Sequence, residues 1–313
     1  MATGLSLHVG INQTDPAFGM DVLHGCVKDA EAMFEIASAN GFWTMKLLDE
    51  QATFDNVANT ILWAASVLND GDIFLFTFAG HGSTRSNETV DPSEDGLEDQ
   101  TILLRDCVLV DNFMRRNLWT QFKAGVRVLG IADSCHSGSV LTAISLSGNL
   151  DNPVLANANV NLGAPATVGG GGVAVAVENR PEDEAFVNLP SVIVGKGVRG
   201  FSGRQRRAIE TLRPEIHQRI RDSLLPADTP LNAKVLSLAA CQDNEDARDG
   251  PNHGVFTQAL LDIWNGGAFT QDYDAFIKQI NNRVNSATQH PGLRPRVADE
   301  KFVKQRPFTI PPP

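Results

Sequence analysis

Two short segments of this chain carry side chains that could act together in catalysis. They are Gly80-His81-Gly82 and Asp133-Ser134-Cys135-His136-Ser137-Gly138, and each follows an apolar run that is typical of a buried strand. In an open parallel sheet, ligands bind and catalytic residues lie beyond the carboxyl ends of the strands. Two neighbouring strands that end in these segments would set an imidazole beside a thiol, which is a nucleophile with its base. The thiolate is the attacking species, and a nearby imidazolium lowers the pKa of the thiol.

Neither residue is informative by itself. A lone histidine in a loop is most often structural or solvated, and unpaired cysteines are most often small buried hydrophobic residues. Cys135, however, is surrounded by polar residues at a predicted strand end, a setting that a core cysteine would avoid. Gly82 adds to this, because a glycine lets a backbone N–H approach a substrate oxygen closely. The joint occurrence of the two segments therefore favours catalysis over a structural role.

An alternation of predicted strands and helices positions these segments. Hydrophobic periodicity predicts strands at 5–11, 45–48, 73–78, 126–132 and 235–240. It predicts helices at 26–40, 53–68, 114–123, 205–224, 255–264 and 273–286. The order of the first elements implies parallel strands with right-handed crossovers, as in an α/β fold. The polar, acidic stretch 83–99 is predicted to be an exposed loop beside the histidine.

Composition narrows the class of protein. The chain has 313 residues, of which 42% are hydrophobic, so it can bury a large core. Its net charge of −11 disfavours nucleic acid as a partner and is compatible with basic substrates. The four cysteines are too few for a disulfide framework and form no C-x-x-C pair. No apolar run is long enough to cross a membrane and no cleaved secretion signal is evident, so a cytoplasmic location is expected.

A shift in composition divides the chain into three parts. A larger part, 1–144, carries both segments, and a smaller part, 208–313, holds a further strand and further helices. Between them, the connector 145–207 is rich in small residues and includes four consecutive glycines. Such a composition predicts a flexible insertion.

The two segments closely resemble motifs of the caspase-like cysteine peptidases, specifically the metacaspases and their bacterial relatives, the orthocaspases. Supporting motifs lie in the same order at 10–12, 23–30, 237–243 and 254–257. The resemblance covers roughly residues 5–140 and 233–285. It implies a caspase-like α/β fold with a mostly parallel central sheet flanked by helices on both faces.

The resemblance also implies peptide-bond hydrolysis through an acyl-enzyme. Cys135 would attack the carbonyl carbon, and His81 would protonate the leaving amine and then activate water. The backbone amides of Gly82 and Cys135 would bind the oxyanion. The chemistry would require no cofactor, and the substrates would be proteins or peptides.

Two aspartates bear on substrate preference. Asp133 stands two residues before the cysteine, where a carboxylate can line the pocket for the residue that precedes the scissile bond. The aspartate of the metacaspase Gly-Cys-x-x-Asp segment, here Asp29, would form a second wall. Two carboxylates would repel an aspartate side chain and favour arginine or lysine. For Asp29, the alternative is a charge in the first turn of a helix that interacts with the helix dipole.

Calcium is a further expectation from the resemblance, since many metacaspases require it. Asp95, Asp99 and Asp111 offer the hard oxygen ligands that calcium prefers. Two positions depart from the family pattern, because Thr142 and Asn112 stand where carboxylates are usual. A simply solvated acidic loop is the alternative to an activating calcium site.

The connector suggests regulation by self-cleavage. Caspase-like enzymes are often cut between their two parts, and flexible sequence gives a protease access to extended backbone. The candidate residues for such a cut are Lys196, Arg199, Arg204, Arg206 and Arg207. The alternative is a partly helical basic linker whose arginines face solvent. The resemblance favours a monomer.

Two other functions remain as alternatives. One is a non-catalytic regulatory or scaffold protein on the caspase fold, which predicts a missing catalytic residue, whereas both His81 and Cys135 are present. The other is a thiol hydrolase of a small amide or ester, for which paired acidic pocket residues have no evident use.

Overall fold

The structure, a computed structural model, describes residues 1–85, 99–135, 197–242, 245–294 and 299–311. The strands are β1 (Gly4–Gly10), β2 (Trp43–Leu48), β3 (Ile73–Ala79), β4 (Gly82–Arg85), β5 (Asp99–Leu103), β6 (Val108–Val110), β7 (Arg127–Asp133), β8 (Gly197–Val198), β9 (Lys234–Ala239), β10 (Arg248–Asp249) and β11 (Gly292–Arg294). The helices are α1 (Cys26–Ala39), α2 (Phe54–Val67), α3 (Asp111–Phe113), α4 (Gly203–Leu212), α5 (Pro214–Ser223), α6 (Val255–Trp264), α7 (Tyr273–Val284) and α8 (Glu300–Val303).

Six strands form a central sheet in the order β2-β1-β3-β7-β9-β11. All neighbours in it are parallel except the edge strand β11, which runs antiparallel to β9. The prediction of a mostly parallel sheet is therefore confirmed. Because β3 and β7 are neighbours at the centre of the sheet, the two chemical segments that follow them leave the same edge side by side.

Helices cover both faces of this sheet, as the α/β prediction requires. On one face, α2, α5 and the turn after α3 pack against Phe74 and Phe76 of β3. On the other face, α1, α6 and α7 pack against Ile73 and Leu75 of the same strand. A parallel strand buried on both faces reads as a continuous apolar run, which is why β3 was recognisable in the sequence.

The stretch that was expected to be a loop, 83–99, begins and ends in strands. β4, β5 and β6 form a three-stranded antiparallel sheet, in which Gly82 pairs with Ile102. Residues 86–98 lie outside the described part of the chain. The strands depend on tertiary pairing that the polar local sequence does not encode. A second small sheet pairs β8 with β10 in antiparallel fashion.

Two helix predictions need correction. The helix expected at 205–224 is two helices, α4 and α5, with non-helical backbone at Arg213 (φ −128°, ψ 56°). Pro214 begins α5, and a proline disfavours helical geometry in the residue before it. The helix expected at 114–123 is instead α3, a π-helical turn at Met114–Leu118 and a 3-10 turn at Trp119–Gln121.

The cysteine and membrane expectations can be compared with the structure directly. All four cysteines are buried and free, so no disulfide framework exists. Within the described ranges, no helix is both long and apolar enough to cross a membrane. Residues 136–196 lie outside those ranges, and α4 begins inside the connector, at Gly203.

An aromatic cluster on the α2 face predicts where the fold is most sensitive. The Phe74 ring is fully buried and lies 5.2 Å from the Phe122 ring and 6.4 Å from the Trp119 ring, between centroids. We expect Phe74→Ala to lower the free energy of unfolding by about 3–5 kcal/mol, measured by urea denaturation. The control Trp43→Ala removes a side chain that is 76% exposed and should change stability by less than about 0.5 kcal/mol. Equal losses in the two variants would contradict this packing.

Candidate active site

The strand register brings His81 and Cys135 to equivalent positions. Ala79 of β3 pairs with Asp133 of β7, and each chemical residue lies two positions beyond its member of this pair. Gly80 N–H donates to the Asp133 carbonyl (3.4 Å), which continues the pairing past the strand ends. The register therefore places the two segments side by side at the same edge of the sheet.

The His81 ring is held in one tautomer. The side chain is buried, and Nε2 lies 2.9 Å from the Asp21 carbonyl oxygen. A carbonyl only accepts, so Nε2 carries the proton, and the buried Nδ1 has no hydrogen-bond partner within the described part of the chain. Burial lowers the pKa of His81 below its ordinary value of 6.5, against the opposing hydrogen bond to the Asp21 carbonyl. The imidazole is therefore neutral at neutral pH.

The Cys135 thiol is buried beside the backbone of Ala247. Ala247 N–H donates to Sγ (3.2 Å), and Sγ lies 3.5 Å from the Ala247 carbonyl oxygen. Burial raises the pKa of this thiol well above its ordinary range, and neighbouring Cys241 and Asp246 raise it further. The sequence predicts an imidazolium that lowers the thiol pKa. In this occupied site, burial instead favours the neutral form of both the thiol and the imidazole.

The carbonyl of Arg199 lies between two backbone amides. Gly82 N–H and Cys135 N–H both donate to the Arg199 carbonyl oxygen, at 2.9 Å and 3.1 Å. A Cβ placed on Gly82 would lie 2.3 Å from the Cys135 carbonyl oxygen, so only glycine allows this approach. A Cβ placed on Gly200 would lie 3.1 Å from Cys135 Sγ, so the peptide bond after Arg199 adjoins the thiol.

The Arg199 side chain is fully buried among three carboxylates. Nη2 donates to Asp29 Oδ2 (2.5 Å) and to Asp249 Oδ1 (2.9 Å), and Nε donates to the same Asp249 oxygen (3.3 Å). Nη1 donates to the Asp133 carbonyl oxygen (3.1 Å) and forms an ion pair with Asp133 Oδ2 (3.1 Å). These three carboxylates and the space they enclose are called the acid pocket below.

Each carboxylate of the acid pocket is fixed by the surrounding backbone or side chains. Asp29 accepts from Gly254 N–H and contacts His253 Nδ1. Both oxygens of Asp29 are therefore engaged in the pocket. This favours Asp29 as a wall of the pocket over the alternative, in which its charge interacts only with the dipole of α1. Asp133 Oδ2 accepts from the amide and the hydroxyl of Thr257. Burial raises the pKa of Asp133 to about 6, and the Arg199 guanidinium works against that rise.

Asp249 is a pocket residue that the sequence did not predict. Its carboxylate accepts from His24 N–H (2.8 Å) and Gly25 N–H (3.2 Å) in addition to Arg199. It follows several other acidic residues in 243–249, so charge alone does not single it out.

Gly254 is a second pocket residue, which the sequence indicates only as part of a motif. A Cβ there would lie 2.3 Å from Asp133 Oδ2 and 2.6 Å from Arg199 Cζ, so this glycine forms a wall of the pocket.

Of the four candidate cleavage residues that the structure describes, Arg199 is the one whose following peptide bond adjoins the thiol. Arg204, Arg206 and Arg207 lie in α4, where Arg206 is buried and pairs with Glu210 (3.0 Å). A helix does not present the extended backbone that a protease binds. Lys196 lies outside the described residues.

The calcium candidates are described only in part. Asp95 lies outside the described residues, as do Thr142 and His136. Asp99 Oδ1 accepts from Asn112 Nδ2 (2.9 Å), and Asp111 Oδ2 accepts from Gln100 N–H (3.1 Å). In the described part of the chain, no group of three or more His, Cys, Asp or Glu residues could hold a metal. Calcium activation stays a prediction.

Comparison with known proteins identifies the family. The family model described as Caspase domain matches residues 3–307. The chain belongs to the caspase-domain family. This caspase domain resembles a crystal structure of protein GSU0716 from Geobacter sulfurreducens with a TM-score of 0.71 and 29% identity, covering 98% of this chain and 99% of that one. The family and the fold inferred from the two motifs are therefore confirmed.

Curated relatives of this caspase domain are metacaspases. Metacaspase-1 of Debaryomyces hansenii is 23% identical over 82% of this chain and 55% of its own length. Metacaspase-2 of Arabidopsis thaliana is 30% identical over 39% of this chain and 32% of its own length. The chain thus spans about half or less of the length of these relatives.

The environment of His81 predicts its titration. We expect its ring to titrate below pH 6.5, because burial disfavours the imidazolium. The measurement is an NMR titration of the histidine rings in the full chain carrying Cys135→Ala, with His81→Asn added to assign the signal. A midpoint at or above pH 6.5 would contradict this assignment of a neutral ring.

Proposed function

We propose that this protein is a cysteine endopeptidase that cuts peptide bonds after arginine. The observation that carries the proposal is the position of its own Arg199. The guanidinium fills the acid pocket, the carbonyl accepts from the amides of Gly82 and Cys135, and the following residue adjoins the thiol. A peptide substrate would need all three contacts at once.

The proposed chemistry uses His81 as base and then as acid. The neutral imidazole accepts the thiol proton through Nδ1 as Sγ attacks the Arg carbonyl carbon. Charge that develops on the carbonyl oxygen is stabilised by the two amides. The imidazolium then protonates the leaving nitrogen, and after acylation the same ring activates water to hydrolyse the thioester. Since both groups are neutral before attack, proton transfer accompanies the attack in this occupied site.

The acid pocket supports arginine over lysine. The polar contacts of the Arg199 guanidinium diverge from the three nitrogen atoms of this planar group and reach three separate carboxylates. A lysine ammonium has one nitrogen with three donors and cannot take all of these positions. Lysine would therefore leave part of a buried carboxylate cluster without a partner, which is unfavourable. This narrows the expectation from the sequence, which allowed either residue.

We further propose that the Arg199–Gly200 bond is cut by the same site. β8 runs antiparallel to β10 and delivers Arg199 in extended form, with its N–H donating to the Ala247 carbonyl oxygen (2.9 Å). While this bond is intact, the acid pocket is filled by the chain itself. The uncut chain is therefore closed to other arginyl substrates, and self-cleavage is a step toward activity.

The alternatives receive less support. A small-amide hydrolase has no use for backbone pairing that continues on both sides of the scissile bond, through β8 before it and Phe201 after it. A scaffold needs neither an aligned carbonyl nor a thiol. A cytoplasmic monomer without nucleic-acid or membrane partners stays a prediction from the sequence.

The first test removes the nucleophile. We expect wild-type protein to hydrolyse fluorogenic peptides that end in arginine and to yield a fragment that ends at Arg199, identified by mass spectrometry. Cys135→Ala should abolish both reactions, because no acyl-enzyme can form. Each is measured with and without calcium. Undiminished activity in the alanine variant would refute the mechanism, and a preference for aspartyl peptides would refute the pocket.

The second test asks whether the pocket reads a guanidinium. Arg199→Lys keeps the charge but not the diverging donors, so self-cleavage should slow on the order of a hundredfold, corresponding to about two lost hydrogen bonds to charged groups. The matched control is Arg204→Lys, which makes the same exchange at an exposed position in α4. Equal self-cleavage by both variants would contradict the arginine preference.

A further inference from the structure

The residue on the far side of the scissile bond is anchored in the protein. Phe201 is buried among Phe18, Leu103, Val108 and Ile209. Its N–H donates to the Gly82 carbonyl oxygen (3.3 Å), and Ser83 Oγ donates to its carbonyl oxygen (2.6 Å). We call these contacts the Phe201 anchor. None of them depends on the Arg199–Gly200 bond.

The chain that follows Phe201 is also held independently of that bond. Ser202 caps α4 by accepting from Gln205 N–H (3.3 Å), and Ile209 of α4 belongs to the same buried cluster as Phe201. In α5, His217 Nε2 accepts from Val108 N–H (3.1 Å), and the Ser223 carbonyl oxygen accepts from Asn117 Nδ2 (2.6 Å). Cutting the bond would therefore leave 201–223 docked where it is.

Residues 197–199, which precede the bond, are equally fixed by the acid pocket and the pairing of β8 with β10. We infer that self-cleavage is reversible inside the site: the amino group of Gly200 that acylation releases stays beside the Cys135 thioester and re-forms the peptide bond. This inference rests on the proposed function and adds the fate of the leaving group to it.

The step is balanced without any co-reactant. In the forward direction, a bond forms between Cys135 Sγ and the Arg199 carbonyl carbon, the bond to the Gly200 nitrogen breaks, and the thiol proton reaches that nitrogen through His81. In reverse, the neutral amine attacks the thioester carbon, the C–S bond breaks, and the proton returns to sulfur through His81. Only attack by water makes the cut permanent.

The magnitudes favour the amine over water. Groups held in reactive geometry reach effective concentrations on the order of 10⁵ M or more, far above the concentration of water itself. The leaving peptide of a separate substrate has no such tether and diffuses away, so its acyl-enzyme proceeds to hydrolysis. The segment 197–201 thus acts as an internal inhibitor that is opened and resealed, and its retention comes from the Phe201 anchor.

Hydroxylamine tests this on the wild-type full chain. It attacks the thioester, converts the Arg199 carboxyl end into a hydroxamate and so prevents resealing. We expect it to raise the rate at which intact chain disappears on the order of tenfold, with the hydroxamate detected on the fragment ending at Arg199 by mass spectrometry. Cys135→Ala under the same conditions corrects for cleavage that does not pass through the thioester. If acylation alone limits self-cleavage, hydroxylamine will leave the rate unchanged, and the inference is overturned.

A variant of the anchor gives a second measurement. Phe201→Ala should cut itself faster than wild type in buffer alone and gain little further from hydroxylamine, because its amine escapes. Leu212→Ala truncates a half-exposed side chain at the end of α4 and should behave as wild type. If Phe201→Ala does not fold, the effect of hydroxylamine on the wild-type chain still tests whether the bond is resealed.

Failure of this inference differs visibly from failure of the proposed function. Hydrolysis of arginyl peptides together with hydroxylamine-insensitive self-cleavage would overturn resealing alone. Absence of both peptide hydrolysis and self-cleavage in every condition would overturn both.

Discussion

Three buried carboxylates must share one positive charge, and much of the molecule is arranged around that requirement. Asp29 comes from α1, Asp133 from the end of β7 and Asp249 from β10, so the Arg199 guanidinium joins three distant parts of the chain. Three like charges in a dry interior are strongly unfavourable without a cation. The acid pocket therefore selects its occupant by electrostatics and by the directions of its oxygens. The chain satisfies it with one of its own residues.

Burial also governs the protonation of His81 and Cys135. The sequence suggested a thiolate beside an imidazolium, which is a reasonable state for a site open to water. In the occupied site, burial raises the pKa of the Cys135 thiol and lowers that of His81, so both groups are neutral. Burial disfavours charge on either partner for the same physical reason.

The parts that could be predicted from sequence are those encoded locally. Buried parallel strands leave continuous apolar runs, and chemical residues placed just after β3 and β7 follow from the topology. Asp249 was missed because its role depends on contacts with His24, Gly25 and Arg199, all far away in the chain. In the sequence, Arg199 is one of five basic residues that local pattern does not distinguish. Only the pairing of β8 with β10 in the structure places it in the pocket. Pro214 is a sequence signal for the break before α5, but the apolar periodicity continues on both sides of it and so predicts one helix.

The strand order has a consequence for what a cut at residue 199 produces. β7 precedes the cut, β9 follows it, and the two are neighbours paired along six residues at the centre of the sheet. The two fragments of such a cut would not be domains that separate at a hinge, because each holds strands that complete the other's sheet. A molecule cut there would be a split protein whose halves both contribute to the packing on the two faces of the sheet. Its sheet would be held together by the pairing of β7 with β9 and not by the peptide bond after residue 199.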